Sequence, residues 1–243
     1  MPTNTKAKAV SIVIPVLNEA LNLKKLVSKI NQHLKRNIYE IIIIDDNSSD
    51  DSRKILLKLK KKNQYLRFYI RNKERDLSQS CQLGFQKSRF SNIVVMDGDL
   101  QHDPKYLPSM INLFFLKNND FLIATRNFSK VIFSQPRSIF SLMLVTIINF
   151  LLGYKTMDPM SGFFIFKKSI YLRNKKKLYG LGFKILLDLL YTNKDFLLIK
   201  EFKFKFNKRK YNKSKMNFKI LYILVKMIIY HFMKKNFTFL YNF

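Results

Sequence analysis

The sequence is poor in cysteine, in glycine and in acid, and it lacks a long apolar run. Cys81 is the single cysteine in 243 residues, so no intrachain disulfide is possible, and nothing argues against a reducing cytoplasm. One Cys and three scattered histidines (His33, His102 and His231) cannot assemble a zinc site. Asp and Glu number 16 against 45 Lys and Arg, a net charge of +29. That excess admits three partners: nucleic acid, an anionic membrane surface, or phosphate-bearing substrates. Abundant Lys, Asn, Ile and Phe beside only six Gly mark a compositional bias that accounts for part of it. The remainder gathers between Lys194 and Lys219. The longest uncharged stretch, Ser138 to Tyr154, is seventeen residues and carries Ser138, Ser141, Thr146 and Asn149. It sits at the lower edge of a membrane-spanning length, and reads as a helix in the membrane interface or half buried in the protein. The polar Met1–Ala9 and the short apolar run after it, which contains Pro15, do not read as a secretory leader.

A hydrophobic share of 47% over this length supports one α/β domain with a sizeable core. Apolar runs at Val10–Val16, Tyr39–Ile44, Leu66–Ile70, Ile93–Met96 and Phe121–Ala124 predict strands, with helical spacing between them. Strand–helix alternation predicts a doubly wound parallel sheet. Four consecutive isoleucines, Ile41 to Ile44, suit a strand buried on both faces. Right-handed crossovers bring the strand ends, and so Pro15–Glu19, Asp45–Asp46 and Asp97–Gln101, to one rim. Further on, the pattern predicts a strand at Phe163–Phe166, a helix over Gly182–Tyr191 and a half-buried strand over Phe196–Phe206. Phe218 to Phe243 is apolar with interspersed lysines. A spanning helix there would bury Lys226 near its centre, at high cost. A basic amphipathic helix on an anionic membrane fits better, with packing on the domain's own core as the alternative.

The chemistry concentrates in Asp97-Gly98-Asp99-Leu100-Gln101. Two carboxylates at spacing two, with an amide, are hard oxygen ligands suited to Mg²⁺ or Mn²⁺. Gly98 is read as the residue that permits a tight turn. An isolated Asp-x-Asp is equally an acidic turn capping the helix that begins near Pro104. Asn18 is read as a helix N-cap with Glu19 in the first turn. Asp45 and Asp46 stand together ahead of Ser49 and Asp50, either of which would suffice as a cap.

In this order, Ile14–Glu19, Ile44–Asp50, Met96–His102, Ala124–Arg126, Asp158 with Ser161–Phe163, and Arg209 with Lys213–Lys215 resemble glycosyltransferase family 2, of the GT-A fold. Within it they are most similar to the dolichol-phosphate or polyprenyl-phosphate mannose synthase branch. The resemblance implies a Rossmann-like, mostly parallel sheet flanked by helices over residues 1–215. A nucleotide and metal half would span about 1–127 and an acceptor half about 128–215, with a basic apolar tail at 216–243. It implies that Pro15, Asn18, Glu19, Asp45 and Asp46 hold the nucleoside, with Asp97 and Gly98 also on the donor. Asp97, Asp99 and Gln101 would hold Mg²⁺ or Mn²⁺ on the donor diphosphate. Arg126, Arg209 and Lys215 would meet diphosphate and lipid-phosphate oxygens, joining Asp99 as the catalytic set. Asp158, Ser161 and Gly162 would lie on the acceptor side.

The implied reaction moves a hexose from GDP-mannose or UDP-glucose to dolichyl or undecaprenyl phosphate, with inversion, at the cytoplasmic face of a membrane. The implied partners are anionic lipid and an integral-membrane protein, not nucleic acid. A lipid phosphate, with a second pKa of about 6, is largely ionised and needs no strong base. The alternative is a glycan or glycolipid hydroxyl acceptor in cell-envelope polysaccharide synthesis. That chemistry needs a base, for which Asp158 is the candidate. Asn47 where the family has Gly, Gly98 where the branch favours Ala, and Arg75–Ser80 in place of a glycine-rich loop leave the donor sugar open.

Overall fold

A computed structural model describes residues 8–116, 118–126, 136–193, 196–205 and 218–236. The first half alternates β1 (Ala9–Val16), α1 (Ala20–His33), β2 (Ile38–Asp45), α2 (Ser52–Lys62), β3 (Leu66–Ile70), α3 (Leu77–Lys87), β4 (Asn92–Val95), α4 (Leu107–Leu116) and β5 (Phe121–Arg126). The second half adds α5 (Pro136–Leu152), β6 (Phe164–Lys167), α6 (Lys168–Asn174), α7 (Ile185–Thr192), β7 (Ile199–Phe204) and α8 (Phe218–Asn236). The seven strands form one sheet in the order β3-β2-β1-β4-β6-β5-β7.

Ile41 to Ile44 are fully buried. Ile41 and Ile43 join the core on one face of the sheet, and Ile42 and Ile44 the core on the other. That is what an unbroken apolar strand between two helical layers requires. The sheet is mixed, however. β6 runs antiparallel to both β4 and β5, while the other pairs are parallel. The sheet is thus mostly parallel, as expected, and the one antiparallel strand is a four-residue segment, Phe-Ile-Phe-Lys, whose pattern carries no directional signal. The consequence is geometric. β6 presents its beginning at the rim where the parallel strands present their ends.

Four local expectations change. The N-cap of α1 is Glu19, not Asn18, because Asn18 adopts a left-handed backbone with φ +55°. The N-cap of α2 is Asp51, not Ser49 or Asp50. α7 begins at Ile185 rather than Gly182, because Gly182 has φ +96°. β7 begins at Ile199 rather than Phe196, which is 87% exposed.

α5 and α8 pack together and onto α7 through a third core containing Val145, Ile148, Leu187, Leu224, Met227 and Ile228. Packing on the domain's own core therefore accounts for one side of α8. The other side is apolar and exposed. Among the described residues no helix is long and apolar enough to cross a membrane.

Candidate active site

The rim at the ends of β1, β2 and β4 encloses a cavity of about 260 Å³. Of the residues singled out in the sequence, Pro15, Glu19, Asp46, Asp97, Gly98, Asp99, Ser161 and Gly162 line it. Antiparallel β6 explains how the last two arrive. Val95 pairs with Phe164, so continuing that register sets Asp97 against Gly162. A Cβ on Gly162 would lie 2.8 Å from Asp97 Oδ2, so the absent side chain is what lets the carboxylate lie over this backbone. Ser161 Oγ donates to Ala124 O at 2.7 Å and ties the loop to the end of β5.

The carboxylates at the rim are not interchangeable. Asp46 is buried, accepts Asp76 N–H at 2.7 Å and forms an ion pair with buried Arg71. Burial raises its pKa from the ordinary carboxylate value, against the opposing pull of Arg71. Burial likewise raises that of Asp76, whose side chain caps α3 by accepting from Gln79 N at 2.9 Å. Arg71 further donates to Gln79 Oε1 at 2.8 Å and to Glu74 O at 2.9 Å. This cluster fixes the loop between β3 and α3 beneath the cavity. Asp45 does not line the cavity; its Oδ1 accepts Ser48 N–H at 2.9 Å and closes the turn after β2. Asn18 also lies off the lining. Its Oδ1 accepts from Ser49 N at 2.8 Å, joining the loops after β1 and β2.

In the Asp97–Gln101 segment the left-handed residue is Leu100, with φ +64°, and not Gly98. The role given to Gly98 is therefore corrected. A Cβ there would lie 2.7 Å from Val16 Cγ1, so Gly98 serves a close approach to β1 rather than a turn. Asp99 is 4% exposed, and its Oδ1 accepts Gln101 N–H at 3.0 Å. Gln101 stands outside the cavity lining. His102 is buried and its Nδ1 accepts from Asp97 N at 3.1 Å. Its ring stacks on Phe163 at 5.1 Å. These contacts make it a support for the loop.

Two hard carboxylates, Asp97 and Asp99, thus face one cavity. No group of three His, Cys, Asp or Glu able to hold a metal occurs among the described residues. This donor set fits a cation that takes one or two carboxylates and completes its shell with substrate phosphates and water, as Mg²⁺ does. Asp158 is fully buried and does not line the cavity. Arg126 closes β5 in register with Phe204, and its side chain lies outside the described residues. Arg209 and Lys215 lie outside them as well.

Sequence reasoning missed two cations on the cavity wall, Arg75 and Lys184. Arg75 donates to Asn47 O at 3.0 Å, and Lys184 to Met160 O at 3.3 Å. Arg75 opens the segment that replaces the branch's glycine-rich loop but was given no role there, and Lys184 stands in no motif. In a chain with 45 basic residues their charge gives no signal.

Comparison with known proteins gives concordant results. The family model described as Glycosyl transferase family 2 matches residues 11–173. A dolichol-phosphate mannosyltransferase of Mycosarcoma maydis is 29% identical over 228 residues, covering 90% of this chain and 77% of that protein. A dolichol-phosphate mannosyltransferase of Pyrococcus furiosus is 31% identical over 237 residues; 93% of this chain is covered, but only 64% of that protein's length. Among solved structures, glucosyl-3-phosphoglycerate synthase from Mycobacterium tuberculosis, in complex with Mn²⁺, UDP-glucose and glycerol 3-phosphate, superposes with a TM-score of 0.71. It is 15% identical, with 93% of this chain and 79% of that one covered. That likeness concerns the fold.

Proposed function

Since the chain belongs to glycosyl transferase family 2, we propose that this glycosyltransferase moves a hexose, mannose or glucose, from a nucleotide-diphosphate donor to a polyprenyl phosphate. The observation that carries the reading is the meeting of Asp97 and Asp99 with the Ser161–Gly162 loop and Lys184 in one cavity. Hard carboxylates, a cation and an open backbone strip are what a sugar diphosphate and a second phosphate need at a shared point. The two dolichol-phosphate mannosyltransferase relatives favour the lipid acceptor.

In this reading residues 1–127 hold donor and metal, residues 128–215 the acceptor, and 216–243 form the tail. Glu19 and Asp46 lie where the nucleoside enters. Asp97 and Asp99 hold Mg²⁺ or Mn²⁺, which when bound offsets charge developing on the departing diphosphate. Arg75 and Lys184, with Arg126, Arg209 and Lys215, provide further positive charge for phosphate oxygens. The anomeric carbon becomes oxocarbenium-like as the leaving group departs. The lipid phosphate oxygen attacks from the opposite face, with inversion, and arrives already ionised. No proton need be removed, so buried Asp158 is not asked to act as a base.

The acceptor is reached from a membrane on which the protein lies peripherally, at the cytoplasmic face. Support comes from α5 and α8. Met143, Ile147 and Phe150 recur at helical spacing on α5, exposed by 58%, 45% and 86%. Tyr222, Val225, Ile229 and Met233 do the same on α8, at 43% or more. Lys226 reaches over the Tyr222 ring at 4.5 Å, and Lys234 and Lys235 follow. An apolar face edged by lysines suits anionic lipid.

The test is transfer of labelled sugar from GDP-mannose and UDP-glucose into butanol-extractable lipid. Label enters from one donor, is lost with a chelator, and falls by about 10²–10³-fold in Asp99→Ala, the scale of a removed charge-stabilising group. Label reaching a glycan hydroxyl instead, with none in lipid, would sink the acceptor assignment.

A further inference from the structure

Asp188 of α7 is wholly buried, lies off the cavity and is bonded on all sides. Its carboxylate accepts the backbone N–H of Tyr179 at 2.9 Å and of Gly180 at 2.8 Å, and the Thr192 hydroxyl at 3.3 Å. The fourth partner comes from α8. His231 Nε2 lies 3.0 Å from Asp188 Oδ1, with both side chains at most 1% exposed. A carboxylate only accepts, so Nε2 carries the proton. Nδ1 of the same ring is buried and has no hydrogen-bond partner among the described residues. A carboxylate so deeply buried is sustained only where further hydrogen bonds satisfy it, and Asp188 meets this by accepting from the loop ahead of α7. The pair therefore has a use beyond filling space.

That use is visible in what Asp188 holds. Residues 178–184 form the loop that enters α7. α3 grips the loop from one side. Gly182 N donates to Asp76 Oδ2 at 2.6 Å, Ser78 N to Gly182 O at 2.8 Å, and Gln82 Nε2 to Gly180 O at 3.0 Å. α8 presses from the other. A Cβ on Gly182 would lie 2.7 Å from Ile223 Cγ2. Tyr230 OH and Lys234 Nζ each donate to Lys177 O at 3.0 Å, just ahead of the loop. The loop ends in Phe183 and Lys184, both on the cavity wall. The chain of contacts from α8 to Lys184 is continuous, and Asp188 is its centre.

We propose that Asp188 and His231 are positioning residues for Lys184, holding its ammonium where the donor's diphosphate oxygens bind, so that the C-terminal helix is part of the active site's support. The proposal rests on the reading that the cavity takes a nucleoside diphosphate, and its test separates the two. Affinity for GDP and UDP, with Mn²⁺ present, is measured by titration calorimetry on the full chain. The variants are Lys184→Met, His231→Leu, the double variant and His231→Gln.

Lys184→Met is expected to weaken binding roughly tenfold, the scale of one hydrogen bond to a charged group. His231→Leu should lose most of the same factor, and the double variant should be no weaker than Lys184→Met alone. His231→Gln, whose amide N–H stands near the place of Nε2–H, should restore binding. Multiplying losses in the double variant, or no recovery with Gln, would overturn the proposal. Amide hydrogen exchange gives a second readout that needs no ligand. Residues 179–182 should exchange faster in His231→Leu, but not in His231→Gln, while β1 and β2 stay protected; unchanged exchange overturns the clamp. If neither diphosphate binds the wild-type chain, the cavity reading fails and exchange alone decides the clamp. Should His231→Leu not fold, Thr192→Val removes one donor to Asp188 and is taken through the same cycle, with a smaller expected loss.

Discussion

The strand-end rim and the paired helices α5 and α8 depart from the ordinary rule of burial in opposite directions. At the rim, Glu19, Asp45, Asp46, Arg71 and Asp99 are withdrawn from water to 6% exposure or less. Along the helices, Phe150 stands 86% exposed and Ile229 51%. Charged groups are rarely buried without partners, and contiguous apolar faces are rarely left in water. The rim meets its requirement within the fold, Arg71 pairing with Asp46 and Ser48 N–H with Asp45, whereas the helical face stays exposed. In the proposed function the rim serves a charged ligand and the exposed helical face a lipid surface. Composition cannot separate the two regions, since lysines border both.

The comparison breaks most visibly at Arg71. Arg71→Met leaves Asp46 buried without its cation and is expected to destabilise the fold by about 3–5 kcal/mol, read from urea unfolding. The pH dependence identifies the cause. Burial already holds the Asp46 pKa above its unfolded value, and losing Arg71 raises it further. A carboxyl raised in the folded state binds its proton more tightly there than in the unfolded chain. It therefore destabilises above the folded pKa, and the penalty is relieved as pH falls through that value. The deficit of the variant should be largest near neutral pH and shrink on acidification. A deficit unchanged between neutral and mildly acidic buffer would show that Asp46 is not its source.

The helical side is tested by Phe150→Asp combined with Ile229→Asp. Withdrawing one such side chain from lipid forfeits about 1.5–3 kcal/mol. Sedimentation with vesicles of anionic lipid should show at least about a tenfold loss of binding, with the unfolding midpoint unmoved. A fall in midpoint like that of a core substitution would place this face in the core and end the contrast. The smallest effect concerns Gly98. Gly98→Ala brings a Cβ onto Val16 and should cost about 1–3 kcal/mol, recovered in part by Val16→Ala. A glycine needed for its backbone freedom would show no such recovery.

Legibility in the sequence followed the same division. β1 and β2 were readable because strands buried on both faces leave unbroken apolar runs. The convergence of Pro15, Asp46 and Asp97 followed from parallel topology. The direction of β6 was hidden, and with it the reason Gly162 faces Asp97. Arg71 gave no signal in the sequence, since its value lies in contacts with Asp46, Glu74 and Gln79 that sequence spacing does not encode. Asn18 and Gly98 were given local roles, cap and turn, whereas the structure uses them for contacts between segments. Arg75 and Lys184 were masked by the abundance of lysine and arginine around them.

The antiparallel strand has one more effect, on the order in which the sheet can be completed. β3, β2, β1 and β4 form a continuous half-sheet from residues made early, and β5 follows. Neither β4 nor β5 pairs with the other; both wait for β6 to enter between them. Until Phe164–Lys167 leaves the ribosome, the edge of β4 that β6 will cover stays open, and an open apolar edge is a template for pairing with another chain. Closing that gap requires contacts distant in sequence, a kind that forms slowly. The strand that sets Gly162 against Asp97 thus also covers the edge that β4 would otherwise present to another chain.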